Sequence, residues 1–313
     1  MLEKYDVAVE LFLKNCTKDG LSAETISGYG RTYKYYRSFC SSNGLDAGIP
    51  ATMRWKLSLE VSMASLNLYL RHLMYLSEFA ISCGLLDAPL VTEALMPPAK
   101  KVAAERAKPY AHILTEEDAA ALISADHCIH TRTPATFLRE RAEVTLLLLS
   151  GLRNSELRAL TPNDLDWDAG LIHARITKGD KPRWVPFPET AQKAVRLYLL
   201  SNIRPRNAGN DAPLFGAVGK DGEWHGFSRT HLSDQVHSYT KAILGEEKAA
   251  RTHAMRHGYA SILLEHDAPV QYISESLGHA SLATTAIYSK RLHPERTTRN
   301  VGDILDGVFA GSV

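Results

Sequence analysis

The chain has 313 residues, 45% hydrophobic and 23% charged, with a formal net charge of +1. That is enough apolar material for two buried cores, and too even a charge balance for composition to announce a nucleic-acid partner. No run of about 18 apolar residues occurs and the N-terminus MLEKYDVAVE carries acids early, so neither a membrane segment nor a secretory leader is expected, and the cytoplasm is the expected compartment. Cys16, Cys40, Cys83 and Cys128 are widely spaced without a C-x-x-C pair, which suits a reducing environment and argues against a disulfide frame or thiolate metal site.

Residues 1–95 read as an all-helical bundle of about four helices. Ser22 is placed to cap a helix running to about Ser42, with Tyr29, Tyr33 and Tyr36 at helical spacing on one face and Ser27, Arg31, Lys34 and Ser38 on the other, Arg37 beside them. A second pattern puts Leu66, Leu70, Leu73 and Ala80 inside and Asn67, Arg71 and Glu78 outside, with Gly84 as the stop. Residues 96–110 hold three prolines and four Lys/Arg against one Glu, and read as a basic linker between domains. Residues 111–313 form the second domain. Thr115 before Glu116, Glu117 and Asp118 starts a helix with acids in its first turn. Pro134 opens a long apolar helix closed by Gly151. Residues 171–187, β-branched and aromatic around Gly179-Asp180, read as a β-hairpin. Helices are expected at about 189–200, 229–243, 253–265, 269–276 and 282–289, with a further short one at 300–309. The fold class is therefore mainly α with a small β-sheet: a helical bundle followed by an α+β domain.

Cationic donors gather at helix ends and turns of the second domain. Arg153 follows Gly151; Lys178 sits at the hairpin tip; His253 and Arg256, three apart, share a helix face; His279 precedes Tyr288 by nine residues. Such a set suits a phosphodiester. Under attack, its non-bridging oxygens gain negative charge that Arg forks stabilise at any working pH. A Tyr phenol in a cationic field is a competent nucleophile, and a Lys can protonate the leaving sugar oxygen. With arginines supplying the charge, the chemistry calls for no metal and no cofactor.

The stretches "SGLRNSELRAL", "ITKGDKPRWVPF", "THAMRHGYAS" and "LGHASLATTAIYS" resemble the tyrosine recombinase, or phage integrase, family, and the resemblance spans about 110–295. The N-terminal region is similar to that family's core-binding domain. The resemblance implies a site-specific DNA recombinase of simple two-domain plan, acting as a homotetramer on two duplex sites, with a partner recombinase or accessory factor as a variation. It implies that Arg153, Arg256 and His279 hold the scissile phosphate and that Lys178 is the general acid, with Lys181 as its rival. It implies that His253 assists proton transfer and that Tyr288 forms a 3′-phosphotyrosyl link. It also implies that 300–309 docks into a neighbouring protomer on the DNA-bound tetramer; folding back in cis in the free protein, or a cis helix that completes the domain, is left open as the alternative. A topoisomerase of the related class and a non-catalytic DNA-binding relic remain the alternatives, and a nucleoid-associated role in chromosome resolution or a mobile element stays open.

Other features read more plainly. Glu156 is a structural support for an arginine or a helix start, and His257 a hydrogen-bonding core histidine; the position after His253 is Ala254, where a zinc protease motif needs Glu. "DHCIH" at 126–130 is a loop, and "GAVGKD" at 216–221 is a turn lacking the Ser/Thr of a phosphate loop. Arg31, Lys34, Arg37, Arg71 and Arg229, with Thr230 and His231, are the candidates for DNA-backbone contact.

Overall fold

The computed structural model describes residues 2–106, 114–126, 133–175, 182–278 and 307–309. The chain divides into two units, Met1–Lys108 and Pro109–Val313, each with its own core.

The first unit is built from α1 (Leu2–Lys18), α2 (Ala23–Ser42), α3 (Ile49–Ser58), α4 (Met63–Ser82) and α5 (Ala99–Arg106). Ser22 caps α2 by accepting from the Thr25 N–H, and Ser62 does the same for α4 from Ser65. The core is rich in tyrosines whose hydroxyls all find partners: Tyr5 Oη donates to the Tyr33 carbonyl at 3.0 Å, Tyr33 Oη to the His72 carbonyl at 2.9 Å, and Tyr36 Oη to the Gly48 carbonyl at 3.2 Å. These bonds remove the penalty of burying three phenols and fix the register of α1, α2 and α4. Asn67 corrects the sequence reading: it is buried rather than outward. α4 packs against α1, α2 and α5, so more of its circumference is covered than a two-sided pattern implies. The helix α5 also lies within the segment read as a linker.

The second unit centres on α7 (Pro134–Ser150), which is buried along nearly its whole length and packs mainly on α9 (Glu189–Leu200) and α11 (Thr252–Glu265). Thr133 caps α7, Pro134 occupies its first turn, and Gly151 ends it in the left-handed conformation at φ 61°. Ahead of it, α6 (Glu116–Ser124) starts with a reciprocal capping box between Thr115 and Asp118. After α7 come α8 (Asn154–Ala159) and a three-stranded antiparallel sheet, β1 (Leu165–Asp166), β2 (Leu171–Ala174) and β3 (Arg183–Pro186), in the order β1-β2-β3. The β2–β3 hairpin pairs Ile172 with Val185 and Ala174 with Arg183. Its tip, with Lys178 and Lys181, lies outside the described residues.

A second hairpin, β4 (Gly216–Val218) with β5 (Trp224–Gly226), was absent from the sequence reading, and the turn at 219–222 joins its strands. Among the described residues, α10 (Arg229–Leu244), α11 and α12 (Val270–Leu277) lie close to their expected spans. The helix expected at 282–289 lies outside the described residues, as does most of 300–309. At the chain's end, Phe309 is fully buried among the core residues of this same unit, with Val308 packed against it. No described helix is long and apolar enough to cross a membrane.

Candidate active site

The site grows from the end of α7. Gly151 takes φ 61°, and a Cβ there would stand 2.6 Å from the Tyr259 ring, so this position requires glycine on two counts. The tight exit delivers Arg153 to the start of α8. Its backbone N–H donates to Glu156 Oε2 at 2.8 Å and its Nη1 donates to Glu156 Oε1 at 2.9 Å. Its Nη2 reaches across the unit to the Gly278 carbonyl at 2.8 Å.

Glu156, fully buried, also holds Arg183 of β3 in a bidentate pair, at 2.8 Å and 2.9 Å. Burial alone would raise its carboxyl. The bonds and charge of Arg183, and then the N–H and guanidinium of Arg153, overcome that and hold it below the ordinary carboxylate value. It is ionised at neutral pH.

The C-terminus of α12 gathers three guanidinium groups on three successive carbonyls. Arg183 Nε donates to Ser276 at 2.8 Å, Arg256 Nη2 donates to Leu277, and Arg153 Nη2 donates to Gly278. Arg256 Nη1 donates as well to the Gly151 carbonyl at 2.7 Å. These carbonyls are the negative end of the helix, and cations complement them. Three guanidinium groups against one carboxylate leave a local excess of positive charge where the chain continues to His279.

Two longer helices begin close by. Asn154 Nδ2 donates to the Arg229 carbonyl at 3.4 Å, at the start of α10, and to Thr252 Oγ1 at 3.2 Å, at the start of α11. Both N-termini therefore face the region of α8, adding to its positive potential. His253 is on the first turn of α11, exposed at its edge, with its ring against His257 at 4.4 Å between centroids and 78° between planes. The protein packed around it, then Arg256, then Arg153, hold its imidazolium disfavoured, below the usual histidine value. It is neutral at pH 7 and so able to accept a proton. His257 is half-buried rather than a core residue.

The structure thus brings Arg153, Arg256 and Glu156 into one network, with His253 one turn from Arg256. Lys178, His279 and Tyr288 lie outside the described residues. Two other tyrosines are spoken for. Tyr259 is fully buried, bonded to Ser276 Oγ and pushed up to about 12 by burial, and Tyr198 is buried with its hydroxyl donating to the Leu214 carbonyl at 2.8 Å.

Arg183 was missed by the sequence reading, although a signal was present. In a strand, residues two apart share a face. Val185 faces the core, so Arg183 does too, and a charged residue on a core face demands a partner.

The candidate DNA contacts in the first unit divide. Arg31 and Lys34 on α2 and Arg71 on α4 are exposed, and Arg31 Nη1 donates to Ser27 Oγ at 3.0 Å. Arg37 forms a fork with Asp6 of α1, its closest approach 3.0 Å. Such an exposed, solvent-screened pair contributes little, so a phosphate can displace it. Arg229, the first residue of α10, is exposed.

A cationic cluster at a helix C-terminus, beside a neutral histidine, is chemistry suited to phosphodiester transfer. The chain belongs to the phage integrase family, whose profile matches residues 112–294. Among known relatives, tyrosine recombinase XerA of Thermococcus kodakarensis is 32% identical over 295 residues, covering 93% of this chain and 90% of that protein. Tyrosine recombinase XerC of Mycobacterium sp. (strain KMS) is 28% identical over 281 residues, covering 86% and 89%. Among solved structures, the XerH site-specific recombinase bound to palindromic difH substrate, a post-cleavage complex, aligns with a TM-score of 0.65 at 18% identity, covering 90% of this chain and 80% of that one. The Tn1549 transposon integrase in complex with transposon right end DNA aligns at 0.60 and 17%, covering 97% and 99%. At these identities the structural likeness establishes the shared fold.

Proposed function

We propose that Tyr288 attacks the scissile phosphate of duplex DNA held by Arg153, Arg256 and His279, forming a 3′-phosphotyrosyl link and releasing a 5′-hydroxyl. The chain is a tyrosine-type site-specific DNA recombinase, an enzyme that breaks and rejoins DNA strands. Lys178 protonates the departing 5′-oxygen, and neutral His253 serves the proton movement at the phosphate. The phosphotyrosine conserves the bond energy, so the 5′-hydroxyl of a second strand can attack it and restore a phosphodiester. In this reading, catalysis is chiefly preorganised charge aimed at the phosphoryl oxygens.

One observation carries the reading: Arg153, from the start of α8, and Arg256, from α11, meet at adjacent carbonyls of α12, one and two residues before His279. Residues 103 positions apart in the chain are brought to the same helix end, with Glu156 holding one of them from behind. Double-stranded DNA is the partner, as the DNA-bound neighbours of the same fold support. A homotetramer on two sites, with 300–309 reaching a neighbouring protomer, is the assembly that fits a two-duplex exchange.

The test uses a nicked suicide duplex whose sequence is first selected, from a randomised pool, by binding to the full chain. Tyr288→Phe removes one oxygen and little volume. It is expected to bind this duplex with wild-type affinity and to form no covalent complex in a denaturing gel. A covalent complex of normal yield would move the nucleophile elsewhere, and exposed Tyr272 would be the next candidate, since Tyr259 and Tyr198 are buried.

A further inference from the structure

We propose that Arg183 is a positioning residue for strand cleavage: it braces Glu156 from behind so that Arg153 is held for the phosphate, and it ties β3 to the helix end from which the chain continues to His279. This rests on the reading of Arg153 as a phosphate ligand.

The geometry of the carboxylate carries the argument. Each oxygen of Glu156 accepts two hydrogen bonds, one from each arginine. Oε1 takes Arg153 Nη1 and Arg183 Nη1; Oε2 takes the Arg153 backbone N–H and Arg183 Nη2. Arg153 therefore shares its anchor with a second guanidinium that approaches in parallel, bidentate fashion. The two arginines differ in access. The Arg153 side chain is 28% exposed and that of Arg183 only 11%. The first is open to a ligand, and the second is enclosed. An enclosed cation satisfied by a carboxylate and a carbonyl does not contact DNA; it fixes the group that the exposed cation leans on.

Arg183 also closes a circuit. Its Nε donates to the Ser276 carbonyl, two residues before the carbonyl that Arg153 uses. The backbone at Gly278 runs so close that a Cβ would sit 3.1 Å from the Arg183 guanidinium carbon, and Gly278 itself takes φ 61°. One planar fork thus joins three segments: the strand leading out of the Lys178 hairpin, the start of α8, and the end of α12. A lysine can retain the charge but not the parallel pair of bonds or the third bond from Nε.

Without Arg183, Glu156 becomes a buried carboxylate with one cation. It then draws the Arg153 guanidinium inward or takes up a proton, and either response re-aims Arg153. A displacement of about 1 Å at a catalytic group costs on the order of 10²-fold in rate.

The experiment measures the first-order rate of covalent complex formation at saturating suicide duplex, with Kd for the same duplex and the melting temperature as companions. Arg183→Met is expected to slow cleavage about 10²-fold with Kd within about twofold. Arg183→Lys should recover part of the rate. The decisive readout is a double-mutant cycle with Arg153→Lys. If Arg183 acts through Arg153, Arg183→Met slows the Arg153→Lys enzyme by no more than about threefold further. A brace for the fold alone would make the two losses multiply. Should Arg183→Met fail to fold, Arg183→Lys runs the same cycle. Cleavage at the wild-type rate in the Arg183 variants, or losses that multiply, overturns the proposal. Cleavage at the wild-type rate in Arg153→Lys would instead overturn the reading of the site on which it rests.

Discussion

Among single residues, Glu143 is the most informative one outside the site. It lies in the middle of α7 with no exposed surface, and neither carboxyl oxygen has a hydrogen-bond partner among the described residues. Arg139 Nε is 3.7 Å from Oε1, too long for a bond, and that guanidinium donates elsewhere, to the Gly216 carbonyl at 3.2 Å, while lying over the Phe227 ring at 4.8 Å. Burial, opposed only in part by Arg139 and reinforced by Glu140, raises the Glu143 carboxyl to about 8. The group is therefore protonated in the folded protein at pH 7, and the apparent ion pair is a neutral acid beside a cation. The unfolded chain releases this proton near 4.5 and the folded chain near 8, so the stabilisation is complete below 4.5 and is lost as pH rises toward 8. By pH 7 the loss is on the order of 3 kcal/mol. Glu143→Gln removes the titration while nearly preserving the shape. Its melting temperature relative to wild type should climb steadily from pH 5 to pH 8, and a difference that stays flat across that range would show that Glu143 is not held neutral.

At the scale of elements, the exit from α7 decides whether the site can assemble. Gly151 combines a left-handed φ of 61° with a Cβ position 2.6 Å from the buried Tyr259 ring. Tyr259 is in turn bonded to Ser276, whose carbonyl receives Arg183. Gly151→Ala is expected to cost about 3 kcal/mol, roughly half from the left-handed backbone and the rest from displacing the ring. Gly84, just past α4, takes φ +68° with nothing near its Cβ position, so Gly84→Ala should cost only about 1–2 kcal/mol. Urea unfolding of the two variants tests this; equal losses would mean that the Tyr259 contact is not limiting. The same elements show what a sequence makes legible. Caps at Ser22, Thr115 and Thr133, and the glycine stop of α7, are local signals, and the helices they bound lie where the spacing predicts them. β1 has two residues, and β4 and β5 three each; strands that short are defined by their partners rather than by any pattern of their own. α5 stands in a polar, proline-flanked stretch and exists through packing on α4. The arginines that motif order singles out could be found from sequence. The Glu156–Arg183 pair was only half legible: strand alternation turns Arg183 inward, but 27 residues separate the partners and only the fold shows which carboxylate it meets.

For the molecule as a whole, the end of the chain raises the remaining question. The sequence reading sends 300–309 to a neighbouring protomer. In the single chain, Phe309 is fully buried among the core residues of its own second unit, and Val308 packs on that core. The two placements use the same chemistry. A core cavity shaped for Phe309 exists in every copy, so exchange between identical copies makes equivalent contacts in cis and in trans, and its balance is set by the tether and by assembly on DNA. That equivalence gives a test needing no DNA. If Phe309 fills its own core in the free protein, Phe309→Ala removes a large buried side chain and leaves a cavity, at a cost of about 3–5 kcal/mol. The melting temperature of the free variant should fall, by the same amount at low and high protein concentration, because an intrachain contact does not depend on a second copy. The variant should also form paired-site complexes poorly if the same side chain fills the neighbour's core on DNA. A free protein that melts as wild type does, with loss confined to paired-site complexes, would show that Phe309 acts between protomers only and that its burial in cis contributes nothing to the fold.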